Sequence, residues 1–160
     1  MEKKSISKDL LFKIIVIAAA AVIAVTGVTL WLTLYRPFDD SYKTVTIQIV
    51  DEENGYDKTF NVRTNASSLA DLIKDKEEWG ILYTEDLVFG MFFTGVNDTE
   101  APIGYWVSVL SSDENYYDTS SSYNTEYTAK NGILCITTTV GASFLPLIHG
   151  EIYVIIVIPY

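Results

Sequence analysis

The chain has 160 residues, of which 49% are apolar, and a formal net charge of −10; this length suits one domain with a short appendage. The apolar fraction is high enough for a packed core, which excludes wholesale disorder. The acidic surplus excludes nucleic acid as a partner, because an acidic surface repels phosphate backbones.

The basic residues concentrate at the N-terminus. Residues 1–36 carry five basic and two acidic side chains (5 − 2 = +3), whereas residues 37–160 carry six basic and 19 acidic ones (6 − 19 = −13). Within the first part, residues 14–35 form 22 consecutive positions without a charge. As a helix with about 1.5 Å per residue this stretch reaches about 33 Å, which spans a hydrocarbon core of about 30 Å.

We therefore predict a basic cytoplasmic tail (1–13), a transmembrane anchor (14–35), a linker (36–42) and an extracytoplasmic domain (43–160). Because lysine-rich flanks stay in the cytoplasm, the N-terminus should lie inside and the domain outside the cell. A cleaved signal peptide, which would release the domain as a secreted protein, is the alternative.

A hairpin opens the outer domain. Residues Thr44–Val50 alternate apolar and polar with a period of two, as a half-buried strand does, and Lys58–Arg63 does the same. Asn54 and Gly55 lie between them and tolerate left-handed backbone at both positions, which predicts an antiparallel return. The acidic turn Asp51–Glu53 lacks the spacing of a calcium-binding loop and is predicted to be solvated.

A helix is predicted after the hairpin. Either Asn65 or Ser67 is expected to cap its start, and Gly80 to end it. Its apolar residues recur at i, i+3 and i+4, which predicts one buried face: Leu69, Leu72 and Ile73.

Five later segments are rich in branched and aromatic residues and are separated by glycines, which predicts strands: Ile81–Thr84, Leu87–Thr94, Tyr105–Leu110, Ile133–Thr139 and Ile152–Ile158. A hairpin, a helix and further strands predict an α+β domain in which one helix packs on a mixed sheet, in a β-grasp-like order. The polar, tyrosine-rich segment Ser111–Ala129 is predicted to be a long functional loop or a flexible insertion.

The sequence carries no catalytic or metal-binding motif. The single histidine, His149, and the single cysteine, Cys135, do not suffice for a catalytic triad or a zinc site. Cys135 lies in an apolar run and is predicted to be a buried small hydrophobe, and His149 is predicted to be a structural turn residue. We expect no enzymatic activity, no cofactor and no metal.

Several short motifs in the outer domain follow one another in a recognisable order. KTVTIQIV and KTFNV lead into SSLADLIKD, and LVFGMFFTGVND, GYWVSV and GASFLPLIHGEIYVIIV follow. In this order they resemble the DUF4430 family, whose domain is similar to the C-terminal domain of transcobalamin and intrinsic factor. The resemblance implies a β-grasp-type domain on the bacterial cell surface that binds a small ligand, such as cobalamin or a related corrinoid.

Four aromatic residues are the candidate ligand contacts. Tyr105 and Trp106 match the aromatic pair with which a central strand of the family begins. Tyr116 and Tyr117 lie in Ser111–Ala129, which replaces a short Asn-Gly hairpin of the family. The four rings offer stacking area for a flat ligand; for Trp106, a place in the core is the alternative.

A second function stays open at this stage. The composition of Ser111–Ala129 is typical of protein-binding loops, and exposed sheet edges dock partners through main-chain pairing. The alternative is therefore a cell-surface interaction or structural module without a small ligand, whose partner is a transporter subunit or an envelope protein.

Overall fold

A computed structural model describes residues 17, 22, 41–120 and 124–160. The predicted tail (1–13), the predicted anchor (14–35, except two residues) and most of the predicted linker (36–42) lie outside the described residues. Among the residues described, no helix is both long and apolar enough to cross a bilayer. The sheets belong to the second of the two units into which the chain divides, Phe38–Tyr160.

The elements of this unit are mostly strands. In chain order they are β1 (Lys43–Asp51), β2 (Tyr56–Thr64), α1 (Leu69–Lys74), β3 (Leu82–Asp86), β4 (Gly90–Val96), β5 (Thr99–Glu100), β6 (Tyr105–Ser111), β7 (Glu126–Thr128), β8 (Leu134–Thr137) and β9 (Ile152–Pro159). Two short 3₁₀ turns, Glu77–Trp79 and Glu114–Tyr116, follow α1 and β6.

The main sheet is mixed, as predicted. Six strands lie in the order β2-β1-β9-β6-β8-β7, and a second sheet has the order β3-β4-β5. β1 and β9 run parallel, whereas every other pair in the main sheet is antiparallel. Parallel neighbours need a long crossover between them, and here the rest of the domain, including α1, lies between β1 and β9 in the chain.

Each face of the main sheet carries a hydrophobic core. On the first face the buried apolar residues of α1 pack against side chains of β1 and β9, with Ile47, Ile155 and Tyr153 fully buried. On the second face Val154 and Ile156 of β9 pack with Leu110 and Cys135. β9 is therefore buried on both sides, which explains its uninterrupted apolar sequence.

Ser111–Ala129 was expected to be a functional loop or a flexible insertion, but its described part packs on both cores, and its C-terminal end covers the second face. It contains a 3₁₀ turn and β7. Tyr127 and Ala129 pack on the second core, and Gln48 of β1 donates to the Tyr127 hydroxyl at 3.3 Å. The backbone N–H of Lys130 donates to Gln48 Oε1 at 3.1 Å. Because α1 covers only the first face, the apolar second face of β9 needs this cover.

The buried face predicted for α1 is confirmed, but its predicted cap and end are wrong. Ser68 is the N-cap: its Oγ accepts from Asp71 N at 3.2 Å, and the Asp71 carboxylate accepts from Ser68 N at 3.3 Å. The helix ends at Lys74, and Gly80 ends the separate 3₁₀ turn instead, with φ +64°. A capping side chain must directly precede the first helical residue, which apolar spacing alone does not locate.

The hairpin of β1 and β2 is confirmed, but the backbone of its turn differs from the prediction. Asp51 pairs with Tyr56 across a four-residue loop, in which Gly55 is left-handed, with φ +65°, and Asn54 is not. Two consecutive left-handed residues occur instead at Asn97 and Asp98 (φ 53° and 55°), between β4 and β5. A two-residue loop needs that geometry, whereas a four-residue loop does not.

The acidic turn is solvated at Glu52 and Glu53, as predicted, whereas Asp51 is buried. Only 3% of the residue is exposed, and its carboxylate accepts from the backbone N–H of Asn54 at 3.2 Å and from Asn54 Nδ2 at 2.7 Å. Asp51 thus closes the turn by a local side chain-to-backbone bond, which is a frequent role of aspartate.

Candidate functional site

The most unusual surface of the domain lies at the turn between β3 and β4. Leu87, Val88 and Phe89 form this three-residue turn, and they are 106%, 72% and 65% exposed. Phe92 on β4 and Phe144 are about half exposed, at 49% and 48%. We call these five residues the apolar tip.

The turn of the tip has a defined backbone. Asp86 accepts hydrogen bonds at Oδ1 from Val88 N at 2.7 Å and from Phe89 N at 2.9 Å. These bonds, the one from Phe89 first, lower the pKa of Asp86, because they favour the charged carboxylate. The carboxylate of Asp86 therefore fixes the backbone of the turn while the apolar side chains point to solvent.

Phe144 joins the tip because its loop is fixed against β4. Gly90 is left-handed, with φ +81°, and a side chain there would lie 2.5 Å from Ser143 Oγ. The same hydroxyl accepts from Met91 N at 2.9 Å. Glycine is thus required at position 90 on both steric and conformational grounds.

The other side of this loop is tied to the helix. The carbonyl oxygens of Ala142 and Leu145 accept from the backbone N–H groups of Ala70 and Leu69, at 3.1 and 3.0 Å. N–H groups in the first helical turn have no partner within the helix, so the loop satisfies them. The loop that carries Phe144 is consequently hydrogen-bonded both to β4 and to α1.

Tyr105 and Trp106, the first two predicted ligand contacts, lie on opposite faces of the main sheet. Tyr105 packs against the first core together with Val107 and Val109, so Trp106 points to the other face. The Tyr105 hydroxyl donates to Glu53 Oε1 at 2.7 Å, and this bond raises its pKa. The Trp106 ring lies 6.2 Å from that of Tyr160.

Tyr116 and Tyr117, the other two predicted contacts, lie beyond the far end of β6 and are also separated. Tyr116 packs against the first core, whereas the Tyr117 hydroxyl donates to the Ser112 carbonyl at 3.0 Å. Burial, followed by the nearby Cys135 on the second face, raises the pKa of Tyr117. The six residues of β6 after Tyr105, about 20 Å of strand, lie between Tyr105 and the tyrosine pair, so the four rings do not form one surface.

The remaining reactive groups have structural surroundings. The backbone N–H of Thr44 donates to Nδ1 of His149 at 3.1 Å, which fixes the start of β1. Cys135 is fully buried, as predicted, and burial, with a smaller effect of Glu151, raises its pKa to about 11. Among the described residues no three histidine, cysteine or carboxylate side chains lie close enough to hold a metal ion.

The apolar tip was missed in the sequence because Leu87–Thr94 was interpreted as one strand. The strand begins only at Gly90. The signal was present in the run Leu87-Val88-Phe89-Gly90, since a glycine after three apolar residues also fits a turn.

Known proteins resemble this chain in fold. No protein-family model and no curated protein matches the chain. A solved structure from Ruminococcus gnavus ATCC 29149, described as a candidate metal-binding protein, is similar with a TM-score of 0.51 and 14% identity. The match covers 74% of this chain and 98% of that one.

A second solved structure, haptocorrin in complex with Cbi, has a TM-score of 0.48 and 16% identity. The match covers 76% of this chain but only 26% of haptocorrin, so this chain corresponds to about a quarter of that protein. The described domain shares its fold with the Ruminococcus gnavus protein, and at 14% identity the likeness is one of fold alone.

Proposed function

We propose that the outer domain is a ligand-binding module that residues 14–35 hold at the cell surface, and that the apolar tip contacts the ligand. The observation that supports this most is the exposure of the five tip residues, whose turn and loop are held by hydrogen bonds. Folded domains rarely expose a contiguous apolar group unless it contacts another molecule.

The proposed ligand is a flat molecule such as cobalamin or a related corrinoid. The rings of Phe89, Phe92 and Phe144 offer area for stacking. Those of Phe89 and Phe92 already form an edge-to-face pair, with centroids 6.5 Å apart and an interplanar angle of 61°. Aromatic rings prefer such offset arrangements with conjugated partners. The motif order that resembles DUF4430 supports the same ligand class. The proposal includes no enzymatic step and no resident cofactor.

The ligand is tested by titrating the purified full chain with cobalamin and related corrinoids, followed by calorimetry and absorbance. Val88→Ser and Phe89→Ser should each weaken binding about tenfold, because each removes apolar contact area. Both side chains face solvent, so folding should be unchanged. Ile133→Ser, at a half-exposed apolar residue of the β7–β8 turn, is the matched control. No binding to the wild-type chain, or equal losses in the control, would contradict the proposal.

The location is tested separately by adding protease to intact cells. The domain should be digested while a cytoplasmic marker protein survives, since lysine-rich flanks keep only the N-terminus inside. Recovery of a shortened chain from the medium would support signal cleavage. Survival of the domain, or its recovery from the cytosol, would contradict an extracytoplasmic position.

A protein partner, such as a transporter subunit or an envelope protein, is the second candidate function. Leu87, the first residue of the turn, is fully exposed, and a protruding apolar residue suits a groove on a partner, whereas small-ligand sites are usually concave. A photo-crosslinking amino acid at position 87 should then capture one protein in membranes. The same probe at position 133 serves as the control.

A further inference from the structure

The second strand forms an uninterrupted edge of the main sheet. Within residues 41–120 and 124–160, β1 is the only strand that pairs with β2. All nine residues of β2 stay in register with β1, without a bulge or a proline. Natural proteins usually interrupt or cover an edge of this length, because it offers a row of backbone groups to another strand.

The directions of these backbone groups follow from the register. Thr46 donates its N–H to the Glu151 carbonyl at 3.0 Å, so Thr46 faces the β9 side and its neighbour Ile47 faces β2. Ile47 lies opposite Phe60, and these two residues exchange the hydrogen bonds of an antiparallel pair. By alternation along β2, the residues whose N–H and C=O groups point away from β1 are Asp57, Thr59, Asn61 and Arg63.

A second copy of the same edge matches this row in one antiparallel register. With a two-fold axis at Phe60, Asp57 lies opposite Arg63 of the second copy, and Thr59 lies opposite its Asn61. The axis repeats both pairs, so opposite charges meet twice, and such cross-strand pairs are stabilising. Moving the register by two residues, the smallest shift that keeps the hydrogen-bond pattern, removes both charge pairs.

The existing contacts of these residues are compatible with this arrangement. The Asp57 carboxylate pairs with Lys130 Nζ at 3.0 Å, and the Asp57 carbonyl accepts from the same ammonium group at 3.1 Å. Asp57 Oδ1 also accepts from Gln48 Nε2 at 2.9 Å, so Oδ2 is the carboxylate oxygen that can accept from Arg63 of the second copy, and the carbonyl oxygen can accept one further bond. Phe60 is stacked on Trp79 with centroids 4.6 Å apart, so the side chain on the axis is already held in place.

We propose that two copies of this chain associate through their β2 edges, antiparallel and centred on Phe60, and join their main sheets into one continuous sheet. The interface uses residues other than those of the apolar tip. Self-association can therefore fail while ligand binding holds, and the reverse.

Mixed disulfide cross-linking of the full chain in mild detergent tests the register. Chains carrying Thr59→Cys are mixed with differently tagged chains carrying Asn61→Cys. Facing residues have Cα atoms about 5.5 Å apart, which a disulfide spans. In a dimer of one variant alone, the two cysteines occupy the same position in both copies. They are then offset by two residues along the strands, and their Cα atoms lie about 9 Å apart, too far for a disulfide. The natural Cys135 is fully buried and should not compete.

A disulfide-linked dimer should therefore form in the mixture and not in either variant alone. Equal cross-linking in all three samples would show random collision and overturn the proposal. The absence of a linked dimer from the mixture would also overturn the proposed dimer. The β2 edge could then pair with an extended peptide of another protein.

A charge reversal tests the same register by analytical ultracentrifugation. Arg63→Asp should weaken self-association about tenfold, because both ends of the interface then carry like charges. Lys58→Asp changes the net charge by the same amount, but position 58 faces Val62 of the second copy, so association should be nearly unchanged. Equal effects of the two variants would contradict the proposed pairing.

Discussion

Tyr153 is the buried residue with the clearest polar role. It is fully buried, donates its hydroxyl to the Pro146 carbonyl at 2.8 Å and accepts from the backbone N–H of Ile148 at 2.9 Å. Burial raises the pKa of this phenol. One hydroxyl thus fixes the loop that enters β9.

Replacing Tyr153 by phenylalanine should lower the free energy of unfolding by about 1–3 kcal/mol, because the N–H of Ile148 loses its acceptor inside the protein. Denaturation in urea measures the change. Tyr160→Phe, at an exposed position, is the control and should have no effect. Equal stability of Tyr153→Phe and wild type would contradict the role of the hydroxyl.

The separation of Tyr105 from Trp106 is visible in the sequence. A strand beginning at Tyr105 was predicted, and period-two alternation alone separates Tyr105 from Trp106. The exposure of Leu87 was not predictable in this way, because it depends on which surfaces the rest of the chain covers. Local pattern gives the direction of a side chain, but only packing decides what lies against it.

At the scale of elements, α1 shows how a short helix depends on its ends. It has only six residues, and isolated helices of this length are unstable in water. Its start is fixed by the reciprocal bonds of Ser68 and Asp71 and by the carbonyl groups of the loop that carries Phe144. The apolar tip and the helix therefore share one support.

Ser68→Ala should lower the free energy of unfolding by about 1 kcal/mol, the usual cost of losing an N-cap. Ser67→Ala removes only an exposed bond from Ser67 Oγ to the Asp71 carboxylate and should cost clearly less. The free energies of unfolding of both variants, measured by heat or urea, show which of the two serines caps the helix. A larger effect at position 67 would mean that the predicted cap, and not the observed one, holds the helix.

On the scale of the whole molecule, the buried thiol of Cys135 and the buried phenol of Tyr153 make the stability of the fold depend on pH in the alkaline range. Burial raises the pKa of Cys135 from 9.0 to about 11 and raises that of Tyr153 as well. As pH rises, these two groups lose their protons at a lower pH in the unfolded chain than in the folded one. The resulting stabilisation is complete below the unfolded pKa and is lost as pH rises through the folded pKa.

Stability should therefore decrease between pH 9 and 11, by up to about 1.4 kcal/mol per pH unit for the thiol. Urea denaturation across this range measures the slope, and Cys135→Ala should flatten it between pH 9 and 10. Parallel pH curves for the variant and the wild type would contradict the assignment to Cys135.

The first hairpin and the buried face of α1 were predictable because both depend on local periodicity, and the mixed sheet was predictable from the order of the elements. The sequence did not predict that Ser111–Ala129 packs on both cores. Polar residues such as Ser111 and Asp113 indicated a loop, yet both are buried. Ser111 pairs with Tyr153 of β9, about 40 residues later, and no local window includes such a partner.

The position of β9 has a consequence for synthesis. This strand lies between β1 and β6 in the sheet, yet it follows every other described strand in the chain. Until residues 152–159 have left the ribosome, the two halves of the sheet have nothing to join them, and both hydrophobic cores stay open. The nascent domain must therefore persist with the β9-facing edges of β1 and β6 unpaired, exposed to aggregation and to proteases, until β9 is available.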